Sequence, residues 1–81
     1  MSAPLSERVR MTLLFDFYGE LLTEKQKQIL TCNLLDDLSL SEIAELHHIS
    51  PQAVRDMLKR TEKTLCYYES KLKLLEEFES G

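Results

Sequence analysis

The chain has 81 residues, enough for one small domain, 1–81, but too few to bury a large core, so we expect self-association. Two glycines and two prolines, with abundant Leu, Glu and Lys, leave little turn chemistry for strands and predict an all-α protein. The formal net charge of −4 argues against a uniformly basic surface for nucleic acid.

Several classes of protein are not expected from this sequence. No apolar run approaches the roughly 20 residues that cross a bilayer, and the N-terminus lacks a signal core, so we expect a cytoplasmic protein without a membrane partner. Cys32 and Cys66 are isolated and suit reduced thiols, and zinc binding with His47 and His48 is disfavoured because neighbouring histidines diverge on a helix. Without a phosphate loop or a catalytic set, we expect no enzyme, cofactor, metal or small-molecule substrate.

A first helix is predicted over 6–20, with Ser6 as its cap and Gly19 as its stop. Its apolar residues form one stripe of Val9, Leu13 and Phe17, beside a second of Leu14, Tyr18 and Leu21. The aromatic residues are interpreted as core or interface, since a platform for stacking bases would lie in a basic, exposed setting.

A second helix is predicted from a capping box of Thr23 and Gln26 through Leu35. Asp36 and Asp37 follow as turn residues. An acid–base pair is not expected there, because the side chains of adjacent turn residues diverge instead of meeting in a cleft.

Residues 23–60 are predicted to form a helix-turn-helix core. Ser39 and Glu42 form a capping box, and Ser50 with Pro51 marks a second helix start. The turn places His48 where positive φ is needed, a region in which histidine is enriched. The apolar residues predicted to face one another are Ile43, Ala44, Leu46, Ile49, Val54, Met57 and Leu58. Two ordinary amphipathic helices in a small bundle, with no ligand, are the alternative.

The last helix is predicted over 51–79, because no breaker occurs before Ser80 and Gly81. Leucines seven residues apart alternate with Thr61, Tyr68 and Leu75, which is close to three heptads. The candidates for self-association are Leu58, Leu65, Tyr68, Leu72, Leu75 and Phe78, and we expect a homo-oligomer, in the simplest case a dimer. The alternative is that this face folds back on the first helix of its own chain.

The segments LLTEKQKQIL, DDLSLSEIAELHHIS and QAVRDMLKRTEKTL resemble the helix-turn-helix in the fourth conserved region of bacterial sigma factors. With RMTLLFDFYGELLTEKQ in front, the chain from Arg10 to Phe78 is more similar still to the YlxM family. The resemblance implies a bacterial DNA-binding regulator of transcription, linked by gene neighbourhood to the signal recognition particle pathway. This sequence departs from the family at Pro51, where arginine is usual, and at 55–57, where Tyr-Asp-Asn is usual; family members also tend to continue past this C-terminus.

In a helix-turn-helix, the N-terminal turns of the second helix face base edges in the major groove. Gln52 is then placed to pair with adenine and Arg55 with guanine, while Asp56 accepts from cytosine or holds Arg55 in position. The candidates for phosphate contact are Ser39, Ser41, Lys59, Arg60 and Lys63. Residues 50–63 include four basic and two acidic residues, which gives this segment a net charge of +2. The rest of the chain has a net charge of −6.

One basic stripe on an acidic chain would bind phosphate weakly. We therefore expect DNA binding by a dimer, because two linked copies bind more tightly than one. The competing hypothesis is an adapter that binds a protein, either a signal recognition particle component or RNA polymerase, without sequence-specific DNA binding. The acidic body and the long apolar helix support that alternative.

Overall fold

The computed structural model describes residues 6–80, which form α-helices and no strand. The elements are α1 (Glu7–Tyr18), a 3₁₀ turn (Gly19–Leu21), α2 (Glu24–Leu34), α3 (Leu40–His47), α4 (Pro51–Leu72) and α5 (Leu74–Ser80). The predicted all-α class is therefore confirmed. The predicted domain also includes residues 1–5 and 81, which lie outside the described residues.

Helix α4 is the centre of the molecule, because α1, α2, α3 and α5 all contact it. At 22 residues it is about 33 Å long, against a longest molecular dimension of 42 Å. The buried apolar residues form one cluster: Met11, Leu14, Tyr18, Leu22, Ile29, Leu30, Cys32, Ile43, Ala44, Val54, Leu58, Leu65 and Leu75. Four helices thus share one core around a single long helix.

The first two helices begin where their caps predict. The Ser6 hydroxyl accepts a hydrogen bond from the Val9 N–H, and Thr23 and Gln26 complete a reciprocal capping box. Helix α1 ends at Tyr18, but Gly19 has right-handed φ and begins the 3₁₀ turn. What Gly19 provides is space, since a Cβ there would lie 2.9 Å from the Phe15 ring.

The two apolar stripes of α1 are only partly buried. Leu14 and Tyr18 are buried, and Leu13 and Phe17 are half-buried against the core. Val9 and the 3₁₀ residue Leu21 are exposed, contrary to their predicted place in the stripes. Helix spacing alone does not reveal which apolar residues of α1 the other helices cover.

An arginine joins α1 to the end of α2. The Arg8 guanidinium donates to the carbonyl of Leu34 at 2.9 Å and pairs with Asp37, which has φ of 59°. Both charged side chains are exposed, so the pair contributes at most about 1 kcal/mol. Its main effect is to satisfy a carbonyl at the end of α2 that has no partner within its own helix.

The prediction of one helix over 51–79 is wrong. Helix α4 ends at Leu72, Lys73 takes left-handed φ and ψ of 55° and 31°, and α5 starts at Leu74. The chain therefore turns a corner without glycine or proline, and α5 folds back to contact α1. Tertiary contacts hold the corner, and helix spacing does not predict them.

The predicted self-association surface is also corrected. Leu58, Leu65 and Leu75 lie in the chain's own core, and Tyr68 is half-buried against it. These residues support the alternative that the apolar face of the last helix folds back on α1. Leu72 and Phe78 are exposed, so they remain predictions for a contact with another molecule.

Candidate nucleic-acid interface

The predicted helix-turn-helix is formed by α3 and α4. Ser39 caps α3: its hydroxyl accepts from the Glu42 N–H at 3.2 Å, and its own N–H donates to the Glu42 carboxylate at 2.9 Å. Hydrogen bonds from the Ser39 backbone and then its side chain lower the pKa of the Glu42 carboxyl. The carboxylate is therefore held in its charged form at the start of α3, where the helix dipole also favours negative charge.

The turn between α3 and α4 has the backbone that the sequence predicts. His48 has φ of 57° and ψ of 43°, in the left-handed region. The Ile49 N–H donates to the Ala44 carbonyl at 3.0 Å, closing the end of α3 as in a Schellman motif. Ser50 then caps α4 by accepting from the Ala53 N–H at 3.1 Å, with Pro51 as the first helical residue. Local signals therefore fix this turn almost completely.

The packing of α3 against α4 agrees with the predicted apolar residues except at one position. Ile43, Ala44, Val54 and Leu58 are buried, and Ile49 and Met57 are half-buried against the same core. Leu46 is 59% exposed, so its predicted place in the contact is wrong. It is the next-to-last residue of α3, and its side chain lies outside the core.

The three predicted base-reading residues, Gln52, Arg55 and Asp56, are exposed on the first turns of α4. Gln52 Nε2 donates to Asp56 Oδ1 at 3.0 Å, one helical turn away. Within residues 6–80, Asp56 forms no ion pair with Arg55. This hydrogen bond uses one N–H of the Gln52 amide and orients that amide along the helix surface.

The predicted phosphate-contacting residues are all exposed, as that role requires: Ser39, Ser41, Lys59, Arg60 and Lys63. Lys59 and Lys63 continue the face of Gln52 and Asp56 along α4, at spacings of three and four residues. The Ser39 hydroxyl is already engaged in capping α3. Ser41 does not cap α3, so its hydroxyl is the better hydrogen-bond donor to a phosphate.

The structure shows a groove beside these lysines that sequence reasoning did not predict. It has a volume of about 250 Å³ and lies between α1 and α4, lined by Glu7, Met11, Lys59, Glu62, Lys63 and Cys66. Two carboxylates therefore share the groove with the two lysines. No local signal indicates it, because Glu7 and Met11 come from a helix more than 40 residues away.

A second feature that the sequence did not predict is a buried polar cluster at the far end of α4. Tyr18 Oη donates to Glu69 Oε1 at 2.5 Å, and the same carboxylate accepts the N–H groups of Leu75 and Glu76 at 3.0 and 2.9 Å. Tyr18 Oη also accepts the Leu74 N–H at 3.0 Å. Two side chains thus cap the first turn of α5.

Burial and hydrogen bonding act in opposite directions on Glu69. Desolvation raises the pKa of its carboxyl, but the hydrogen bonds from Tyr18, Leu75 and Glu76, together with the positive charge of Arg10, lower that pKa by more, so it lies below its usual value. Burial, followed by the hydrogen bond to Glu69, raises the pKa of the Tyr18 phenol. The pair is therefore a neutral phenol that donates to a charged carboxylate.

One histidine, His47, contacts polar side chains through both of its ring nitrogens. His47 Nδ1 lies 3.2 Å from Lys25 Nζ, and His47 Nε2 lies 3.9 Å from the buried Cys32 thiol. Cys66 is exposed on α4. No cluster of three or more potential metal ligands occurs among residues 6–80. Over the same residues, no helix is both long and apolar enough to cross a bilayer.

Known proteins are similar in sequence to this chain over most of its length. Residues 5–81 match the family described as "UPF0122: Putative helix-turn-helix protein, YlxM / p13 like". A UPF0122 protein of Shouchella clausii is 54% identical over 76 residues, which are 94% of this chain and 70% of that protein.

Two further relatives agree with this match. UPF0122 protein YlxM of Bacillus subtilis is 53% identical over 75 residues, 93% of this chain and 68% of its own length. A UPF0122 protein of Clostridium botulinum is 50% identical over 72 residues, 89% of this chain and 66% of its own length. The family is one of helix-turn-helix proteins and not an enzyme family. By these sequence matches, the chain belongs to the YlxM/p13-like helix-turn-helix family.

Proposed function

We propose that this protein binds double-stranded DNA as a homodimer, with the first turns of α4 in the major groove. The observation that carries the proposal is the exposure of Gln52, Arg55 and Asp56 together at the start of α4. No helix of residues 6–80 covers them, and the preceding turn has the geometry of a helix-turn-helix. Such a protein would regulate transcription in the bacterial cytoplasm.

Base reading is assigned to the three exposed polar residues. Arg55 can donate two hydrogen bonds to guanine, and the oriented amide of Gln52 can accept from the exocyclic amine of adenine while its second N–H donates to the adenine ring. Each such bidentate pair discriminates by about 1–3 kcal/mol. Asp56 can accept from cytosine, and it repels phosphate, which favours correctly placed sites over random DNA.

Phosphate contacts are assigned to Ser41, Lys59, Arg60 and Lys63, and to Ser39 through its hydroxyl proton, which the cap does not use. The body of the chain is acidic, so one copy with a local charge of +2 would bind weakly. Two linked copies bind better, because attachment of the first raises the effective concentration of the second. The charge distribution therefore supports a dimer as the binding form.

The test compares Arg55→Ala and Lys59→Ala on a site selected from random DNA. Loss of Arg55 should relax preference at one guanine, with a loss of about 1–3 kcal/mol of discrimination. Loss of Lys59 should weaken all sequences alike and flatten the plot of log affinity against log salt by about 0.9 per contact. Lys71→Ala is the matched control, because Lys71 lies over the Tyr67 ring in the last turn of α4 and should change neither quantity.

If Arg55→Ala and Lys59→Ala produce equal losses on every sequence, base reading is excluded. If the unaltered protein passes through a random-DNA column at low salt, DNA binding itself is excluded.

A second candidate function is supported by the C-terminal helix. Helix α5 combines the acidic residues Glu76, Glu77 and Glu79 with exposed Leu74 and Phe78. This surface repels DNA and suits a protein partner with a basic rim around an apolar patch. An adapter of this kind would bind a signal recognition particle component or RNA polymerase. Absence of retention on heparin at low salt, together with binding to either partner, would favour it over the DNA proposal.

A further inference from the structure

The α4–α5 corner, residues 69–76, is held by side chains that lie far apart in sequence. The N–H groups of Leu74, Leu75 and Glu76 donate to Tyr18 Oη and to the two oxygens of Glu69. These are the N–H groups that have no carbonyl partner at the start of a helix. Glu69 and Tyr18 thus cap the N-terminus of α5, whereas the residue directly before each of the helices α1 to α4 caps that helix.

The same three N–H groups have a second possible set of acceptors. If Lys73 took right-handed φ, α4 and α5 would form one helix, and residues 74–76 would donate to the carbonyls of residues 70–72. The segment from Gln52 to Ser80 holds no proline or glycine to prevent this. Lys73 instead has left-handed φ, which is unfavourable for a residue with a Cβ. The bent and straight forms therefore both satisfy the backbone.

The contacts between α5 and α1 do not depend on which chain supplies α5. Leu75 is fully buried in the core, and the Phe78 ring packs edge-on against the Phe17 ring with centroids 5.8 Å apart. A straight helix would withdraw both side chains from α1 and leave their site open. The α5 of a second copy has the same residues and fits the same site, as in domain swapping. A short connection under strain, here Lys73 alone, favours such an exchange.

We propose that this chain dimerises by exchanging α5. In the dimer, α4 and α5 of each copy form one helix, and Leu75 and Phe78 of each copy pack on α1 of the other. The Tyr18–Glu69 hydrogen bond is kept, because both residues precede the hinge in their own chain. This exchange would supply the contact between the two subunits of the proposed DNA-binding dimer. The inference rests on the proposed function only for what the dimer is used for, because the exchange itself is argued from the α4–α5 corner.

The first experiment detects exchange by a disulfide between chains. Both natural cysteines are replaced by serine, and one preparation carries Phe17→Cys while another carries Phe78→Cys. The two are mixed at high concentration, allowed to equilibrate and oxidised. We expect a disulfide-linked heterodimer, whereas a chain with both substitutions at low concentration should link internally. Internal linkage at every concentration, with no heterodimer from the mixture, would overturn the proposal.

The second experiment changes the hinge and measures the dimerisation constant by sedimentation equilibrium. Lys73→Gly removes the strain at positive φ and disfavours the straight helix, so it should weaken the dimer by roughly two orders of magnitude. Lys73→Ala removes the same charge but keeps a Cβ and favours a helix. The association constant of the dimer should therefore stay the same or rise by up to about threefold. Equal shifts in the two variants, or a monomer at all concentrations, would overturn exchange. Neither experiment contains DNA, so DNA binding can fail or succeed independently.

Discussion

His48 and Lys73 are both non-glycine residues at positive φ between two helices, but different kinds of contact hold them. At His48, residues nearby in sequence hold the corner. The Ala44 carbonyl accepts a hydrogen bond from the Ile49 N–H, and the Ser50 hydroxyl caps the next helix. At Lys73 the partners are Tyr18, on another helix, and Glu69, a full turn earlier. The first corner is encoded locally, whereas the second exists only when α1 is packed against α4.

The largest expected effect tests whether the α4–α5 corner belongs to the cooperative core. Leu75→Ala should lower the free energy of unfolding by about 2–5 kcal/mol, because Leu75 is fully buried. Urea unfolding followed by circular dichroism measures this. Leu74→Ala, at a residue 40% exposed, is the control and should cost much less. A loss at Leu75 no greater than that at Leu74 would mean that α5 is not part of the core.

The next effect compares the caps of the two corners. Glu69→Gln should destabilise the protein by about 1.5–3 kcal/mol, since it weakens buried hydrogen bonds to a charged group. Ser50→Ala removes the local cap of α4 and should cost about 1 kcal/mol. Both are measured as differences in urea unfolding. A larger loss at Ser50 would reverse the expected ranking.

Stability should depend on pH through Glu69. Because folding lowers the pKa of this carboxyl, its contribution is present above the unfolded pKa and is lost as pH falls through the folded pKa. The stability gap between the unaltered protein and Glu69→Gln should therefore narrow below about pH 4. Unfolding series at several pH values measure the gap. A gap that stays constant down to pH 2 would contradict the charged state of Glu69.

The smallest effect should come from the local corner. His48→Gly should raise the free energy of unfolding by about 0.5–1 kcal/mol, because glycine has no Cβ to oppose left-handed φ. His47→Gly, one residue earlier within α3, should instead lower it by about 1 kcal/mol. Opposite signs at adjacent positions would confirm that the strain is confined to His48; equal signs would argue against it.

The two corners also explain what could be predicted from sequence. The caps at Ser6, Thr23, Ser39 and Ser50 lie within three residues of their partners, so the starts of α1 to α4 are readable from the chain. The end of α4 is not, because the hydrogen bond that matters spans 51 residues.

The apolar residues and the candidate site also differ in how far neighbouring residues in sequence determine them. A heptad pattern shows that Leu58 and Leu65 share a face, but it cannot show whether the chain's own α1 or another molecule covers that face. The exposure of Gln52, Arg55 and Asp56 follows from helix spacing and was predictable. The groove between Glu7 and Lys63 was not, because it depends on where α1 crosses α4.

The side-chain capping of α5 makes its release observable by hydrogen exchange. The amide protons of Leu74, Leu75 and Glu76 are held by Tyr18 and Glu69, so each departure of α5 exposes them to solvent unless the helix straightens. Amide protons in the middle of α4, around Leu65, exchange only when the core itself opens. The exchange rate at these three amides, divided by the intrinsic rate of a free amide, gives the fraction of molecules with α5 undocked, and the rate around Leu65 gives the fraction in which the whole core is open. This small chain therefore carries, in three backbone protons, a label-free reporter of its own C-terminal motion.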